Sequence, residues 1–352
     1  MIYIVIGCIL FSLALLERGN WHTPKSAVSL NVLTQFLFII FFSLFVGFRE
    51  GVGGDWGSYD EIFHLIDSTD YPSYLFLTDP GYAFVNKIIS HLDLTVHYVN
   101  FICASIFFVA AIKVSFSFPR PLFSISMAYG YLIPVVAMGM TRQSVSVGLG
   151  MLALLCFSEA KYYRATLFGL IAISFHRSAI FVAFICLLAI NKRFSFKLAI
   201  LLILSSLFVL IDGFQFAYLI YYNYLDAGHQ SSGAVIRTGI LSLSAIIYLI
   251  KIRNSMLNQE YRKVFDALSF LSLVTFAISL APSLSTFADR FSFYLMPIIL
   301  MAPVVMRTNR PNAKLPLPAV SLLLAHNVFF FIWILYSQYA QYWLPYKNFL
   351  FG

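Results

Sequence analysis

Apolar residues run along this chain in long unbroken blocks, and polar residues collect between them. Val28–Phe48, Leu122–Met138 and Leu198–Ile211 are examples. A helix needs about 20 such residues to cross a hydrocarbon core. Lipid offers no partner to backbone groups, so only helices or closed barrels span it. Barrel strands alternate polar and apolar positions, whereas these blocks are continuous and predict helices. About twelve spans are expected, near 2–16, 28–48, 95–112, 121–138, 141–158, 162–175, 177–190, 196–212, 234–250, 264–281, 286–306 and 316–336. They read as a single transmembrane domain over 1–352, an all-α polytopic bundle with one larger external loop. The first block has no basic segment before it and no small-residue cleavage site after it, so it predicts a retained helix.

Composition agrees with a membrane chain. Of 352 residues, 60% are hydrophobic and 11% charged, against roughly 25% charged in soluble domains. The net charge of +8 reports topology in such a chain and does not predict a nucleic-acid partner. Cys8, Cys103, Cys156 and Cys186 all lie in apolar blocks and read as small hydrophobes, with no disulfide framework and no metal spacing.

The basic residues orient the spans. Alternate loops carry Arg18 and Lys25; Lys113 and Arg120; Lys161 and Arg164; Lys192, Arg193 and Lys197; Lys251, Arg253, Arg262 and Lys263; and Arg307, Arg310 and Lys314. These are 16 of the 23 Lys and Arg, which predicts that this side is cytoplasmic and both termini external. The other seven are Arg49, Lys87, Arg142, Arg177, Arg237, Arg290 and Lys347.

Most external loops are short. The exception is 49–94, which holds eight of the 15 acidic residues: Glu50, Asp55, Asp60, Glu61, Asp67, Asp70, Asp79 and Asp93. Its second half, Pro80–His91, predicts an amphipathic helix whose Tyr82, Phe84, Val85, Ile88 and Ile89 lie on the membrane surface or on the bundle. A second external loop, 213–233, carries Tyr218, Tyr221, Tyr222 and Tyr224.

Arg49, Arg142, Arg177, Arg237 and Arg290 each fall near an external helix end. Guanidinium groups bind phosphate oxygens through paired, charge-assisted contacts. Several of them at one interface suit a lipid diphosphate; taken singly, each could instead snorkel to water or bind anionic lipid. His176, beside Arg177, can accept a proton near neutral pH, or simply hydrogen-bond at the interface. In Gly51-Val-Gly-Gly-Asp-Trp-Gly-Ser-Tyr-Asp-Glu61, glycines allow tight turns and close approach. Asp55, Asp60 and Glu61 could bind sugar hydroxyls, position a base or hold a cation, and Trp56 and Tyr59 could stack on sugar rings. Ser58 and Glu61 also match a helix capping box. The carboxylates have no metal-binding pattern, so no metal is expected, and no phosphate-binding glycine loop faces the cytoplasm.

The chain resembles the Wzy-type polysaccharide polymerases, in particular the EpsG-like branch. Arg49-x-x-x-Gly53-x-Asp55-x-x-x-Tyr59-x-x-x-Phe63 is similar to the family's N-terminal motif. Asp79-Pro80-Gly81-Tyr82 is similar to its E-x-G-Y element, with Asp for Glu. Thr141-Arg142-Gln143 resembles its R-Q step and Phe175-His176-Arg177-Ser178 its F-H-x-S step, with Arg237, Arg290 and Pro345-Tyr346 following in order.

The resemblance implies a helical bundle of the membrane glycosyltransferase type, GT-C-like, working without cofactor or metal. It implies polymerisation of undecaprenyl-diphosphate-linked repeat units into O-antigen or a related surface polysaccharide. The reaction would take place at the outer face of a bacterial inner membrane, with lipid-linked donor and acceptor glycans and membrane lipid as partners. It leaves room for a chain-length regulator protein. In this reading Arg142, Arg177, Arg237 and Arg290 bind the donor diphosphate, Arg49 holds a second diphosphate or braces Asp55, and His176 or Asp55 is the base. Two other classes share the pattern. A lipid-linked oligosaccharide flippase would line a central cavity with basic residues, whereas the external arginines here cluster near one interface, which favours an enzyme. An outer-face ligase or acyltransferase is the other class; an acyltransferase would need a buried histidine such as His326.

Overall fold

The computed structural model describes residues 1–17, 25–118, 120–190, 231, 233–255, 259–300 and 314–351, with backbone alone described for 25–30. The expected span 196–212, the tyrosines of the 213–233 loop and the basic residues Arg18, Lys192, Arg193, Lys197, Arg307 and Arg310 lie outside the described residues. Among the described residues the secondary structure is helical, apart from one isolated bridge between Arg49 and Asn348.

The helices are α1 (Ile2–Leu16), α2 (Lys25–Gly47), α3 (Trp56–Asp67), α4 (Pro80–His91), α5 (Val96–Phe116), α6 (Pro121–Tyr129), α7 (Thr141–Ser158), α8 (Tyr162–Phe175), α9 (Ile180–Ala189), α10 (Ala234–Ile247), α11 (Gln259–Ser279), α12 (Ser285–Ser292), α13 (Pro297–Leu300) and α14 (Leu317–Tyr336). Val96–Phe116, Ala234–Ile252 and Leu317–Tyr336 are long and apolar enough to cross a membrane. Shorter apolar helices include Ile2–Leu16, Asn31–Gly47, Tyr162–Phe175 and Arg177–Ala189. On α2 a continuous stripe of Val32, Leu33, Phe36, Leu37, Ile40 and Phe41 is exposed. An apolar surface of that length belongs in lipid, and the chain is a helical membrane protein.

Two expected spans are interrupted. The run 121–138 stops as α6 at Tyr129 and resumes as a π-helical turn over Leu132–Ala137. Pro134 within it has no N–H to give a helix, and its carbonyl accepts instead from Trp343 Nε1 at 2.7 Å. At the break, a side chain on Gly130 would come within 2.2 Å of the His326 ring, so glycine lets α14 approach. The run 286–306 is likewise cut into α12, a 3-10 turn over Phe293–Leu295 and α13, which opens on Pro297.

The helices gather into two compact units, one of residues 1–149, 174–176 and 308–352, the other of 150–173 and 177–307. In the first, α2 packs along α5, α1 on α6, and α14 on both α1 and α6. Aromatic rings knit this core: Phe42 stacks on Phe108 with centroids 5.2 Å apart, and the Tyr129 hydroxyl donates to the Tyr3 carbonyl at 2.8 Å. The start of α6 is capped from a distance. Both carboxylate oxygens of Glu17 accept, at 3.0 Å each, from the backbone N–H groups of Leu122 and Phe123, two of the donors a helix start leaves unmet. In the second unit α10, α11 and α12 pack together and α9 packs on α11. Thr238 and Ser279 exchange a 2.8 Å hydrogen bond, and Ser242 donates to the Ser272 carbonyl, polar contacts that join helices in lipid.

Candidate functional site

The segment between α2 and α3 starts from the turn chemistry of its glycines. Gly51 and Gly53 have φ of 62° and 108°, values that favour glycine. A side chain on Gly53 would also meet the Met138 carbonyl oxygen at 2.3 Å. The C-terminal residues close over this turn: Gly53 N–H donates to the Tyr342 carbonyl at 2.8 Å, Glu50 N–H to Lys347 at 3.0 Å, and Phe349 N–H back to Phe48 at 2.7 Å. Tyr346 fixes the same corner by donating to the Phe45 carbonyl at 2.6 Å.

Arg49 sits inside this corner, 1% exposed. Its Nε donates to the Val52 carbonyl, Nη1 to Val46 and Nη2 to the Thr141 hydroxyl, at 2.9, 2.8 and 2.8 Å. Trp56 covers it at 5.6 Å. Burial pulls its pKa below the ordinary arginine value, against the neighbouring tyrosines that raise it. In this geometry Arg49 braces the backbone around the glycine turn and has no face open to a diphosphate.

The Thr141 hydroxyl passes the chain of bonds on to Asn100 Oδ1 at 3.0 Å. The next residue, Arg142, opens α7 with its side chain 30% exposed. Its Nη1 donates to the Thr78 hydroxyl at 2.6 Å and pairs with Asp79 Oδ2 at 3.1 Å. The rings of Tyr59 and Tyr82 each lie 5.9 Å from its guanidinium carbon. Tyr59 and Tyr82 are both buried, edge to face at 5.7 Å. Tyr59 therefore shelves Arg142 and offers no open face for a sugar. Burial, then the nearby Asp55 charge, pushes the Tyr59 hydroxyl up to about 12. Arg142 Nε, the Tyr82 hydroxyl and Asn100 Nδ2 are buried with no hydrogen-bond partner among the described residues.

The short motifs thus meet in the first unit. The N-terminal motif supplies Arg49, Gly53 and Tyr59; the D-P-G-Y element supplies Asp79 and Tyr82; the R-Q step supplies Thr141 and Arg142. Gly81 abuts the F-H-x-S step, since a side chain there would meet the Phe175 ring at 3.0 Å. His176, half-buried, is the second residue of that step, and its carbonyl accepts from the Ser146 hydroxyl at 3.3 Å.

Asp55 is the residue before α3, but its side chain does not cap the helix. Because α3 begins at Trp56, Ser58 lies inside the first turn and cannot be the N-cap that the capping-box spacing suggests. Asp60 is half-exposed, 3.9 Å from His64. Trp56 also lies 5.3 Å from His97, a residue absent from the sequence-based expectation. His97 Nε2 meets Glu50 Oε2, its Nδ1 is 3.0 Å from the Thr95 hydroxyl, and its ring stacks on Phe349 at 4.2 Å. Nothing in the local sequence signals that pair, since Glu50 and His97 are 47 positions apart.

Arg177, Arg237 and Arg290 belong to the second unit. Arg237 is engaged across helices: Nε donates to Asp289 Oδ1 at 2.6 Å, Nη2 lies 2.6 Å from Asp289 Oδ2, and Nη2 also reaches the Ser231 hydroxyl at 2.7 Å. Asp289 thus pairs with Arg237 through a guanidinium fork, although its sequence neighbour is Arg290. Arg290 and Arg177 are both half-buried.

An apolar helical membrane protein whose polar motif residues converge on a half-exposed arginine is the class these features define. The chain belongs to the EpsG family, which it matches over residues 32–348. No curated protein and no solved structure matches it. Membership points to a polysaccharide polymerase-type function in a membrane.

Proposed function

We propose that the chain polymerises undecaprenyl-diphosphate-linked repeat units into a surface polysaccharide, O-antigen or a related glycan. The polymerase works at the outer face of a bacterial inner membrane, in a GT-C-like bundle of about twelve spans. The observation that carries this reading is Arg142: it is held by Thr78 and Asp79, shelved between two tyrosines, and still 30% exposed. A fixed, partly exposed guanidinium suits a phosphate oxygen. The buried Arg49 behind it has no carboxylate partner among the described residues, so its charge adds to a field that favours an anion.

In the reaction, the bond between the donor sugar's anomeric carbon and the phosphate oxygen breaks, and the acceptor hydroxyl oxygen bonds to that carbon. The hydroxyl proton goes to a base, His176 first and Asp55 as the rival. The electron pair leaves with the lipid diphosphate, whose charge Arg142 takes up. Arg49 acts as a brace. The free energy resides in the sugar–phosphate bond, so no cofactor or nucleotide is required.

The test is polymerisation of a purified lipid-linked repeat unit by the protein in vesicles, read on gels. Arg142→Ala should abolish chain growth at normal protein level, and full-length polymer from it overturns the reading. Translocated single units, or acylated sugar, would instead identify a flippase or an acyltransferase.

A further inference from the structure

Helix α4 has two apolar faces. Tyr82, Ala83, Asn86 and Ile89 turn inward and are buried. On the other side Phe84, Ile88 and Leu92 follow one another at a spacing of four and are 55%, 43% and 60% exposed. That spacing sets them in one stripe, with Leu92 the first residue past the helix.

The lysine on α4 is turned away from this stripe. The helix contains no carboxylate. Its single lysine, Lys87, donates to the carbonyls of Ile66, Asp67 and Thr69 at 3.2, 3.0 and 2.9 Å, one acceptor for each ammonium proton. His91, exposed and three residues after Ile88, shares the stripe's face, and its Nδ1 lies 2.7 Å from the Lys87 carbonyl. The partner helix is the opposite in character: on α3, Glu61 and Asp67 are exposed and Asp60 half-exposed. The α3–α4 hairpin therefore has an acidic side and an apolar side whose helix carries no carboxylate.

The apolar side adjoins a helix that is long and apolar enough to span. Helix α5 begins at Val96, four residues after Leu92, and α4 packs against it. A helix that leaves an apolar stripe open beside a membrane span settles in the interfacial layer, about 5–10 Å into the headgroup and acyl boundary. We propose that the Phe84–Ile88–Leu92 stripe of α4 is a lipid contact, seated in the bilayer surface beside the start of α5, with acidic α3 toward water. The helix that carries Tyr82, and the Asp79 before it, would then hold Arg142 at headgroup depth.

Depth quenching tests this. Phe84→Cys, Ile88→Cys and Leu92→Cys, with Glu61→Cys as the aqueous control, are made in a Cys8→Ser background, because Cys103, Cys156 and Cys186 are buried. Each is labelled with a bimane fluorophore and reconstituted in phosphatidylethanolamine–phosphatidylglycerol vesicles. Nitroxide near the headgroup end of the acyl chain should quench the three α4 labels several-fold more than the Glu61 label, and aqueous iodide should show the reverse order. Iodide quenching of the α4 labels equal to that at Glu61 overturns the proposal. So does shielding from both quenchers, which would mean that protein covers the stripe. The three α4 positions report independently, so one poorly folded variant does not decide the result.

Discussion

Arg49 donates from Nη2 to the Thr141 hydroxyl at 2.8 Å, tying the end of α2 to the residue that precedes Arg142. Removing it leaves two backbone carbonyls and a hydroxyl without their donor in a closed corner. Bonds to a charged group contribute roughly 1.5–3 kcal/mol each. Arg49→Ala should lower the thermal stability of the detergent-solubilised protein by several kcal/mol and abolish polymer. Arg142→Lys, which keeps a cation against the nearly buried Asp79 but loses the planar guanidinium, should sharply reduce polymer with little change in melting. Parallel melting curves and glycan gels on the two variants separate a brace from a ligand.

Asp79 orients Arg142 by charge. Asp79→Glu keeps the carboxylate and should retain most activity. Asp79→Asn loses the charge-assisted bond and should slow polymerisation about ten-fold or more, the equivalent of about 1.4 kcal/mol. Equal rates for the two variants would remove Asp79 from the site.

Glycines of the turn should differ sharply. Gly53→Ala places a methyl group against the Met138 carbonyl at a φ of 108° and should eliminate folded protein or activity. Gly54 and Gly57 have open space where a side chain would go, so alanine at either should leave protein level and polymer length unchanged. Immunoblots and gels of the three variants suffice.

The Arg237–Asp289 pair is nearly buried, with side chains 13% and 9% exposed. Breaking such a pair by removing one partner costs about 3–5 kcal/mol, because the other charge is left uncompensated. Asp289→Ala should be strongly destabilising, and Arg237→Ala with Asp289→Ala should recover part of the loss. Thermal unfolding of both singles and the double measures that coupling.

Glu17 gives a pH dependence. Burial outweighs its bonds to Leu122 and Phe123 and the nearby Arg120, and pushes its carboxyl up to about 7. The folded chain then keeps a proton that the unfolded chain releases near its ordinary value of about 4.3. This contribution to stability is complete below that value, falls as pH rises through 7, and is level above. Melting temperatures between pH 5 and 8 should decline in the wild type and flatten in Glu17→Gln.

Much of the helical layout was legible in the sequence. Ile2–Leu16, Pro80–His91, Thr141–Ser158 and Tyr162–Phe175 have the bounds their apolar blocks give, because polar residues or glycine and proline fence those blocks. The interruptions at Gly130–Pro134 and Pro297 were hidden, since the residues on either side stay apolar and hydropathy does not register a missing N–H. The site was legible as a set of motifs but not as a set of partners. Lys87 counts among the external cations, yet it caps α3. Asp289 stands beside Arg290 in the chain, yet it pairs with Arg237, 52 positions away. Adjacent side chains on a helix diverge, and such pairings follow only from how helices cross.

The bonds that join the glycine turn to the C-terminal segment also set an order of assembly. Glu50 and Gly53 leave the ribosome early, but the carbonyls that receive their N–H groups belong to Lys347 and Tyr342. Contacts so distant in sequence form late. The corner that steadies Arg142 is therefore completed only when residues 342–349 arrive, and a protein interrupted before them would leave its centre unfinished.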